Sequence, residues 1–306
     1  MPAGIGKIAA DFCYFMASSS KYFIQGKYLA AILLALFFMP RKIRAQEGVD
    51  LLEKTYHAIS DIQTVSYTVH LKERVDGKLS EERTGNIKMT VKPLQVYYFM
   101  ILPRYGAELL YNSKAYGNNI YINPNGFPWF SFNLDPDNKW MRKSRHHTIL
   151  DAGFEYIKDI LGRFLAQSHN LTDFKISNPG KQKINNIDCL AITIEKEVFF
   201  YKNYTMKEGE DISEFARKEG LSDFMVLERN PKYEWYDSPK PGETLVVPNF
   251  YAKKVAILVD PSSFLPVSLQ IFDDIGLFEE VTFSDINIHP VFNSDTFSIE
   301  NPDYGF

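Results

Sequence analysis

The stretch "VAILVDPSSFLPVSLQIFDDIGLFEEVTFSDINIHPVF", Val255 to Phe292, carries the clearest fold signal in the chain. It contains three strand-like segments, and the turn sequences "DPSSFLP" and "DDIG" separate them. Alternation of apolar and polar residues with a period of two is typical of β-strands, and Gly, Pro and Asp mark turns. The stretch therefore predicts three successive strands of an antiparallel sheet.

The same pattern extends through most of the sequence. The segment "VSYTVHLKERV" (65–75) alternates and ends at the turn Asp76-Gly77, and "NIKMTVKP" (86–93) returns from that turn. Two segments have helical spacing instead, "VDLLEKTYH" (49–57) and "ILDAGFEYIKDILGRFLAQ" (149–167). We therefore predict an α+β fold in which about ten antiparallel strands form one curved sheet with packing helices.

Residues 1–45 do not fit this pattern. Lys21 and Lys27 precede the apolar run "YLAAILLALFFMP", which "RKIRA" follows. A basic lead, a short apolar run and the small residue Ala45 are typical of a secretory signal peptide, and a membrane span needs about 20 apolar residues. We expect an exported protein, periplasmic or associated with the cell envelope. The alternative is an uncleaved membrane anchor.

Charge and cysteine content exclude two classes of protein. Without residues 1–45 the chain carries 28 basic and 37 acidic side chains, a net charge near −9. Nucleic-acid binding requires a basic surface, so we expect no nucleic-acid partner. Cys13 lies in the N-terminal lead and Cys189 is the one remaining cysteine, which rules out an intramolecular disulfide and favours a buried strand residue.

Four turn and strand motifs have a recognisable order. They are Gly85 with Pro93, the hairpin of Asp260, Leu265 and Pro266, the segment "DIGLFE" (274–279), and the closing "NPDYGF" (301–306). Together they resemble the LolA/LolB type of half-open β-barrel and, more closely, the family DUF1571. The resemblance covers about residues 47–200 and 249–306 and implies a discontinuous LolA-like half-barrel of residues 46–203 and 249–306. Such motifs specify a fold better than an activity.

A short acidic and helical segment, residues 204–248, interrupts the strands. Gly209 allows a sharp exit from a strand, Asp211 can cap a helix, and Gly220 can end it. The segment resembles a LysM module, a small βααβ unit. We predict that its two strands pair with each other, and that "VFFYKN" (198–203) and "YAKKVAILVD" (251–260) are antiparallel neighbours in the large sheet.

The LysM resemblance implies binding of glycans that contain N-acetylglucosamine, such as peptidoglycan or a chitin-like polymer. The residues at the positions of the family's shallow groove are Gly209, Glu210, Asp211, Ile212, Asn230, Pro231 and Tyr233. This module has an acidic residue where the family has Thr or Ser, at Asp211. The alternative is a degenerate LysM with a purely structural role.

Aromatic residues recur between Tyr97 and Trp140. LolA-like half-barrels enclose an apolar cavity for acyl chains, which implies a lipid or a lipoprotein acyl chain as ligand. The aromatic residues that we assign to this cavity are Tyr97, Phe99, Phe127, Trp129 and Phe130. The alternative is an ordinary core that these side chains fill.

No sequence motif for catalysis stands out, and we expect neither an enzyme nor a cofactor or metal. His146 and His147 can suggest a metal site, but neighbouring strand residues point to opposite faces. The carboxylate pairs Asp273/Asp274 and Glu279/Glu280 lie beside a hairpin turn, which explains the first pair. The sequence therefore favours a non-enzymatic binding protein of the envelope, with a scaffold that binds no small molecule as the alternative.

Overall fold

The computed structural model of the protein describes residues 41–142, 145–167, 173–233 and 239–306. Its contacts divide the chain into two units, Met1–Gln46 and Glu47–Phe306. Nearly all of the expected signal peptide lies outside the described residues. Within the described part of the chain, no helix is both long enough and apolar enough to cross a membrane. The second unit contains the sheets and the candidate site.

The helices of the described residues are short, apart from the first. They are α1 (Arg41–Ser60), α2 (Lys139–Arg142), α3 (Glu155–Gln167), α4 (Ile212–Glu219) and α5 (Asp223–Arg229). The predicted helix at 149–167 begins as a 3₁₀ turn, Ile149–Asp151, which the Thr148 side chain caps. Gly153 then adopts a φ of +89°, which an α-helix does not allow, so α3 starts only at Glu155.

The strands of the described residues are numbered in chain order. They are β1 (Thr64–Val75), β2 (Lys78–Leu79), β3 (Arg83–Thr90), β4 (Gln95–Leu102), β5 (Glu108–Asn112), β6 (Ile120–Asn123), β7 (Phe132–Leu134), β8 (Phe174–Ile184), β9 (Ile187–Lys196), β10 (Tyr201–Thr205), β11 (Thr244–Pro248), β12 (Lys254–Val259), β13 (Pro266–Phe272) and β14 (Leu277–Ile288).

One large antiparallel sheet contains all of these strands except β10 and β11. Its order is β7-β6-β5-β4-β3-β1-β14-β13-β12-β9-β8, with β2 added beside β1. The two end strands, β7 and β8, do not pair with each other, so the curved sheet stays open. The predicted α+β class with one large antiparallel sheet is confirmed. The opening stretch forms β12, β13 and β14, which are consecutive in this order.

The two faces of the sheet have different coverings. On the inner face, Tyr67 of β1 and Phe283 of β14 pack against Phe154, with ring centroids 5.5 and 4.7 Å from it. On the outer face, the C-terminal segment packs on β4 and β5, where the rings of Tyr97 and Tyr304 stack at 3.8 Å. At β4 and β5 apolar residues are buried on both faces, so this part of the sheet is covered on both sides.

Residues 201–248, called the 201–248 unit below, contain a two-stranded sheet and two short helices in βααβ order. β10 and β11 pair with each other from Tyr201–Pro248 to Thr205–Thr244. Asp211 caps α4 by accepting the N–H of Glu214, and Gly220 ends α4 with a φ of +69°. The apolar core of this unit consists of Met206, Ile212, Phe215, Val226, Tyr233, Leu245 and Val247.

The predicted pairing on either side of this unit is wrong. β12 pairs with β9 and β13, whereas the segment 198–203 is not its neighbour. The reason lies at Asn249: its side chain accepts the N–H of Phe200 at 3.1 Å and donates to the carbonyl of Val198 at 2.9 Å. These bonds hold residues 198–200 beside residue 249 as a narrow neck, and Val198 and Phe200 remain exposed there.

Candidate functional site

A cavity of about 130 Å³ lies on the inner face of the sheet. Its floor consists of residues that are paired across neighbouring strands. In order they are Leu109 of β5, Tyr98 of β4, Ile87 of β3 and Tyr67 of β1. The segment 145–153 and α3 form its other side. The remaining apolar lining comes from Val69, Leu71, Val96, Pro136, Met141, Ile149, Ala152, Tyr156, Val281 and Phe283.

Two glycines leave the space that the cavity's aromatic side chains occupy. At Gly85 a Cβ atom would lie 2.3 Å from the ring of Tyr98, so only glycine lets this ring lie flat over β3. At Gly153, which donates its N–H to the Tyr67 hydroxyl at 2.7 Å, a Cβ atom would lie 2.7 Å from the Met89 sulfur. Both positions shape the floor of the cavity.

The cavity also has five acidic or basic side chains in its lining, Glu73, Arg83, Arg145, His147 and Asp151. Arg83 forms an ion pair with Glu73, whose side chain is fully buried. Asp151 accepts the backbone N–H of Thr148 at 2.8 Å. Glu73, Arg83 and Asp151 thus each have an ion-pair partner or a hydrogen bond.

Half-buried His147 and fully buried Glu279 form an ion pair beside the cavity, with Nε2 and Oε2 2.8 Å apart. Burial disfavours the charge on His147, but Glu279 and Asp151 overcome it and raise the pKa of His147 to about 10. Burial likewise opposes the charge on Glu279, while His147 and His146 lower the pKa of Glu279 to about 2. Both groups are therefore charged at neutral pH.

Glu73, His146 and Glu279 are the cluster of described residues that could hold a metal ion. Their ligand atoms lie within 4.8 Å of one another, and all three residues are buried. His146 places Nε2 2.8 Å from the Arg74 carbonyl, and its backbone N–H donates to Glu73 at 2.9 Å. Arg83 and His147 form ion pairs with the two carboxylates, so side chains of the protein itself supply counter-charges here.

A second charged network joins β1 to the 201–248 unit. Arg74 donates to Asp273 at 2.9 Å and to Glu228 of α5 at 2.9 Å, and its side chain is 5% exposed. Nearby, Arg142 donates to Asp223 at 2.6 Å. These bonds fix α5 against the sheet, so charged side chains mediate the docking of the βααβ unit.

A larger and more polar cleft, of about 490 Å³, lies between α3 and the 201–248 unit. Arg163 of α3 crosses to the carbonyl of Arg217 at 3.0 Å. The cleft contains charges of both signs, among them Asp137, Arg142, His147, Asp151 and Asp159. It shares His147 and Asp151 with the apolar cavity, so these two residues stand between the two spaces.

The five aromatic residues assigned to the cavity from the sequence do not line it. Tyr97 is buried on the outer face, where its hydroxyl donates to Glu108 at 2.6 Å, and Phe99 packs in the same cluster. Phe127, Trp129 and Phe130 are 80%, 83% and 67% exposed. Phe127 to Phe130 precede β7, at the edge of the sheet, where no strand or helix of the described residues covers them.

Of the seven residues assigned to a glycan groove, some are exposed and others are buried. Gly209, Asp211 and Pro231 are exposed, and Glu210 accepts the Tyr204 hydroxyl at 2.9 Å. Ile212 and Tyr233 are buried in the core of the unit, and Asn230 donates to the carbonyl of Val246 at 2.8 Å. As the unit stands, the side chains of these three residues support its fold, and glycan binding stays a prediction.

The residues that line the cavity were missed for an identifiable reason. In β4, "QVYYFMIL", both faces are apolar, so alternation does not tell which set points inward. The signal that points to the inner set is Gly85, a glycine inside strand β3 opposite this segment, because it marks a close approach. His146 and His147 belong to a segment whose partners lie about 70 to 130 residues away, at Glu73 and Glu279.

Comparison with known families gives one match in sequence. The profile of DUF1571, described as a protein of unknown function, matches residues 62–205. These residues are a DUF1571 region. It contains β1 to β9 with the cavity floor, and it ends with β10 before the helices of the βααβ unit. Among curated proteins there is no match.

Several solved structures are similar to this chain at low sequence identity. LprF from Mycobacterium bovis is 13% identical, with a TM-score of 0.41, over 81% of this chain and 96% of that one. Lipoprotein LppX from Mycobacterium tuberculosis is 16% identical, with a TM-score of 0.39, over 81% and 98%. A LolA superfamily protein from Nitrosomonas europaea is 11% identical, with a TM-score of 0.29, over 83% and 97%. At these scores the similarity carries no information on ligand or partner.

Proposed function

We propose that this protein is a non-enzymatic binding protein of the cell envelope that holds the apolar part of a ligand in the inner-face cavity. The observation that carries the proposal is the cavity itself, about 130 Å³ in volume and lined chiefly by apolar side chains. An apolar cavity of about 150 Å³ is enough to bind benzene. The site as it stands therefore suits a ring or a short stretch of chain.

The size of the cavity limits the free energy of binding that apolar contacts can supply. Each buried methylene group is worth about 0.8 kcal/mol, so four to five of them contribute roughly 3–4 kcal/mol. That corresponds to a dissociation constant of about 1–6 mM. Tight binding then requires either a longer chain, with some opening of the cavity, or polar contacts at its charged residues.

The charged residues support binding rather than general acid–base chemistry. With a pKa of about 10, His147 keeps its proton at neutral pH and does not act as a base. With a pKa of about 2, Glu279 has no proton to donate. The Thr148 hydroxyl is 3.3 Å from Asp151, a carboxylate that also accepts the Thr148 N–H. These groups are arranged as a stable network.

The test is a titration with octan-1-ol, followed by two-dimensional NMR. We expect saturable shifts at residues of β1, β3 and β4. Val96→Phe fills the cavity and should weaken binding by about tenfold or more, because Val96 is fully buried in the lining. Ile288→Phe, on the exposed end of β14, is the matched control and should bind as the unchanged protein does. Equal binding by Val96→Phe would refute the cavity assignment.

The glycan-binding function of the 201–248 unit is a second proposal, supported by its βααβ order and its exposed loop at Gly209. Co-sedimentation with peptidoglycan sacculi tests it. Pro231→Glu, at an exposed position, should reduce sedimentation, whereas Lys202→Glu on β10 is the control. Substitutions at Ile212 or Tyr233 would test folding of the unit instead, because both are buried. A protein that stays in the supernatant favours the structural role.

A further inference from the structure

Among the described residues that line the cavity, Arg145 is the one charged group without an ion-pair partner. Within the described residues, its guanidinium forms no ion pair and no side-chain hydrogen bond. The other four are engaged: Arg83 with Glu73, His147 with Glu279, and Asp151 with the N–H of Thr148. Arg145 itself is partly buried, and the inward-pointing Tyr98 lines the same cavity.

An unpaired guanidinium in such a place is unfavourable. Burial lowers the pKa of Arg145, since the surroundings solvate its charge poorly. Burial and the like charge of Arg145 together lower the pKa of Arg83 to about 10, so the two guanidinium groups lie close enough to repel. A buried charge without a counter-charge is costly, and an anion at this point would relieve both effects.

We propose that the ligand carries an anionic group, a carboxylate or a phosphate, that binds the Arg145 guanidinium while its apolar part fills the cavity. The inference rests on the proposed function and narrows it to anionic amphiphiles. Guanidinium groups suit this role because their planar set of N–H donors matches the oxygens of a carboxylate or a phosphate.

Arg145 is a better receptor for the anion than Arg83. An anion at Arg83 would compete with Glu73, a fully buried carboxylate that also accepts the backbone N–H of His146. Separating that pair would leave Glu73 without its counter-charge. At Arg145, an anion displaces no ion pair of the described residues, so the gain in free energy is not offset by a broken contact.

The experiment compares octanoate, octyl phosphate and octan-1-ol by isothermal titration calorimetry on the full chain. The three share an eight-carbon chain and differ in the head group. We expect at least one of the anions to bind about tenfold more tightly than the alcohol, or better, in low salt. The carboxylate and phosphate arms tell which head group fits.

Arg145→Met should remove the preference for the anion, measured as the ratio of the anion affinity to the alcohol affinity of the same variant. Arg145→Lys keeps the charge and should retain part of the preference, which also guards against a folding defect in the first variant. Arg104→Met, a surface arginine outside the cavity, is the matched control.

The outcomes separate the two levels of the proposal. Equal binding of the alcohol and both anions, or an anion preference that survives in Arg145→Met, overturns this inference and leaves the cavity function intact. Absence of binding by all three compounds overturns the cavity function itself. The head-group comparison on the unchanged protein decides the question even where a variant does not fold.

Discussion

Arg74 and Arg145 are two guanidinium groups inside one protein, in opposite situations. Arg74 donates to Asp273 and Glu228, each at 2.9 Å, and lies over the Phe278 ring at 5.2 Å. Although burial opposes it, these partners raise the pKa of Arg74, whereas burial lowers the pKa of Arg145. The comparison shows that Arg74 has ion-pair partners within the fold, whereas Arg145 has none among the described residues, and the proposal of an anionic ligand rests on that difference.

We expect the largest effect on the free energy of unfolding from removing the Arg74 guanidinium, which has ion-pair partners. After Arg74→Met, the hydrogen-bond donors that remain to the fully buried Asp273 carboxylate among the described residues are the backbone N–H groups of Ile275 and Gly276. Removing one partner of a buried ion pair costs about 3–5 kcal/mol, and we expect a loss of unfolding free energy near the lower end. Urea denaturation measures it.

Asp273→Asn on top of Arg74→Met should recover part of the loss, because the second change removes the stranded charge. Arg104→Met is the control and should change stability by less than about 0.5 kcal/mol. A loss below about 1 kcal/mol for Arg74→Met would mean that this network contributes little, and the contrast with Arg145 would disappear.

The pH dependence of stability provides the next effect, on the order of 2 kcal/mol. The pKa of Glu279 is lowered to about 2, so its contribution is present above the unfolded value near 4.5 and is lost as the pH falls towards 2. The pKa of His147 is raised to about 10, so its contribution is complete below about 6.5 and is lost as the pH rises towards 10. Stability from this pair should therefore be greatest between about pH 4.5 and 6.5.

The groups that face His147 are Glu279, Asp151, His146 and Tyr156, and the first two supply the negative charge. His147→Gln should flatten the alkaline side of the stability profile between pH 6.5 and 10, measured by urea denaturation at each pH. His57→Gln, on the exposed side of α1, is the control. An unchanged alkaline slope in His147→Gln would assign the loss to other groups.

Removing the Arg145 guanidinium should change the free energy of unfolding in the opposite direction and by a smaller amount. Arg145→Met removes a poorly solvated charge and relieves its repulsion of Arg83. Replacement of buried charge by an apolar group is often neutral or stabilising, so we expect unfolding free energy to stay constant or rise by up to about 1 kcal/mol. A loss of more than 1 kcal/mol would show that Arg145 contributes to the fold, as Arg74 does.

The sequence predicted those features that local chemistry determines. The turn at Asp76-Gly77, the helix cap at Asp211 and the end of α4 at Gly220 are all present, since each depends on residues a few positions apart. The strands and the antiparallel sheet followed from alternation, and the open form of the sheet followed from the family resemblance. The pairing of β12 with β9 was not predictable in this way, because the bonds of Asn249 join residues about 50 positions apart.

The candidate site was less accessible to sequence reasoning for two physical reasons. Strand β4 is apolar on both faces, so Tyr97 and Phe99 were chosen where Val96 and Tyr98 line the cavity. The charged network depends on partners from distant segments, for example Glu279 for His147, which no spacing rule reveals. Aromatic density alone also drew attention to Trp129, which is exposed.

We expect the smallest effect from removing the exposed ring of Trp129. Trp129→Ser removes a side chain that is 83% exposed and outside the cavity lining. Exposed substitutions of this kind change unfolding free energy by about 0.5 kcal/mol or less, and octan-1-ol should bind as it does to the unchanged protein. Tyr98→Ser, on the cavity floor, should instead weaken octan-1-ol binding by several-fold, since its ring supplies part of the apolar wall. Should Trp129→Ser weaken binding as much as Tyr98→Ser does, the exposed aromatic residues would be part of the ligand site. The binding surface would then extend from the cavity to the edge of the sheet at β7.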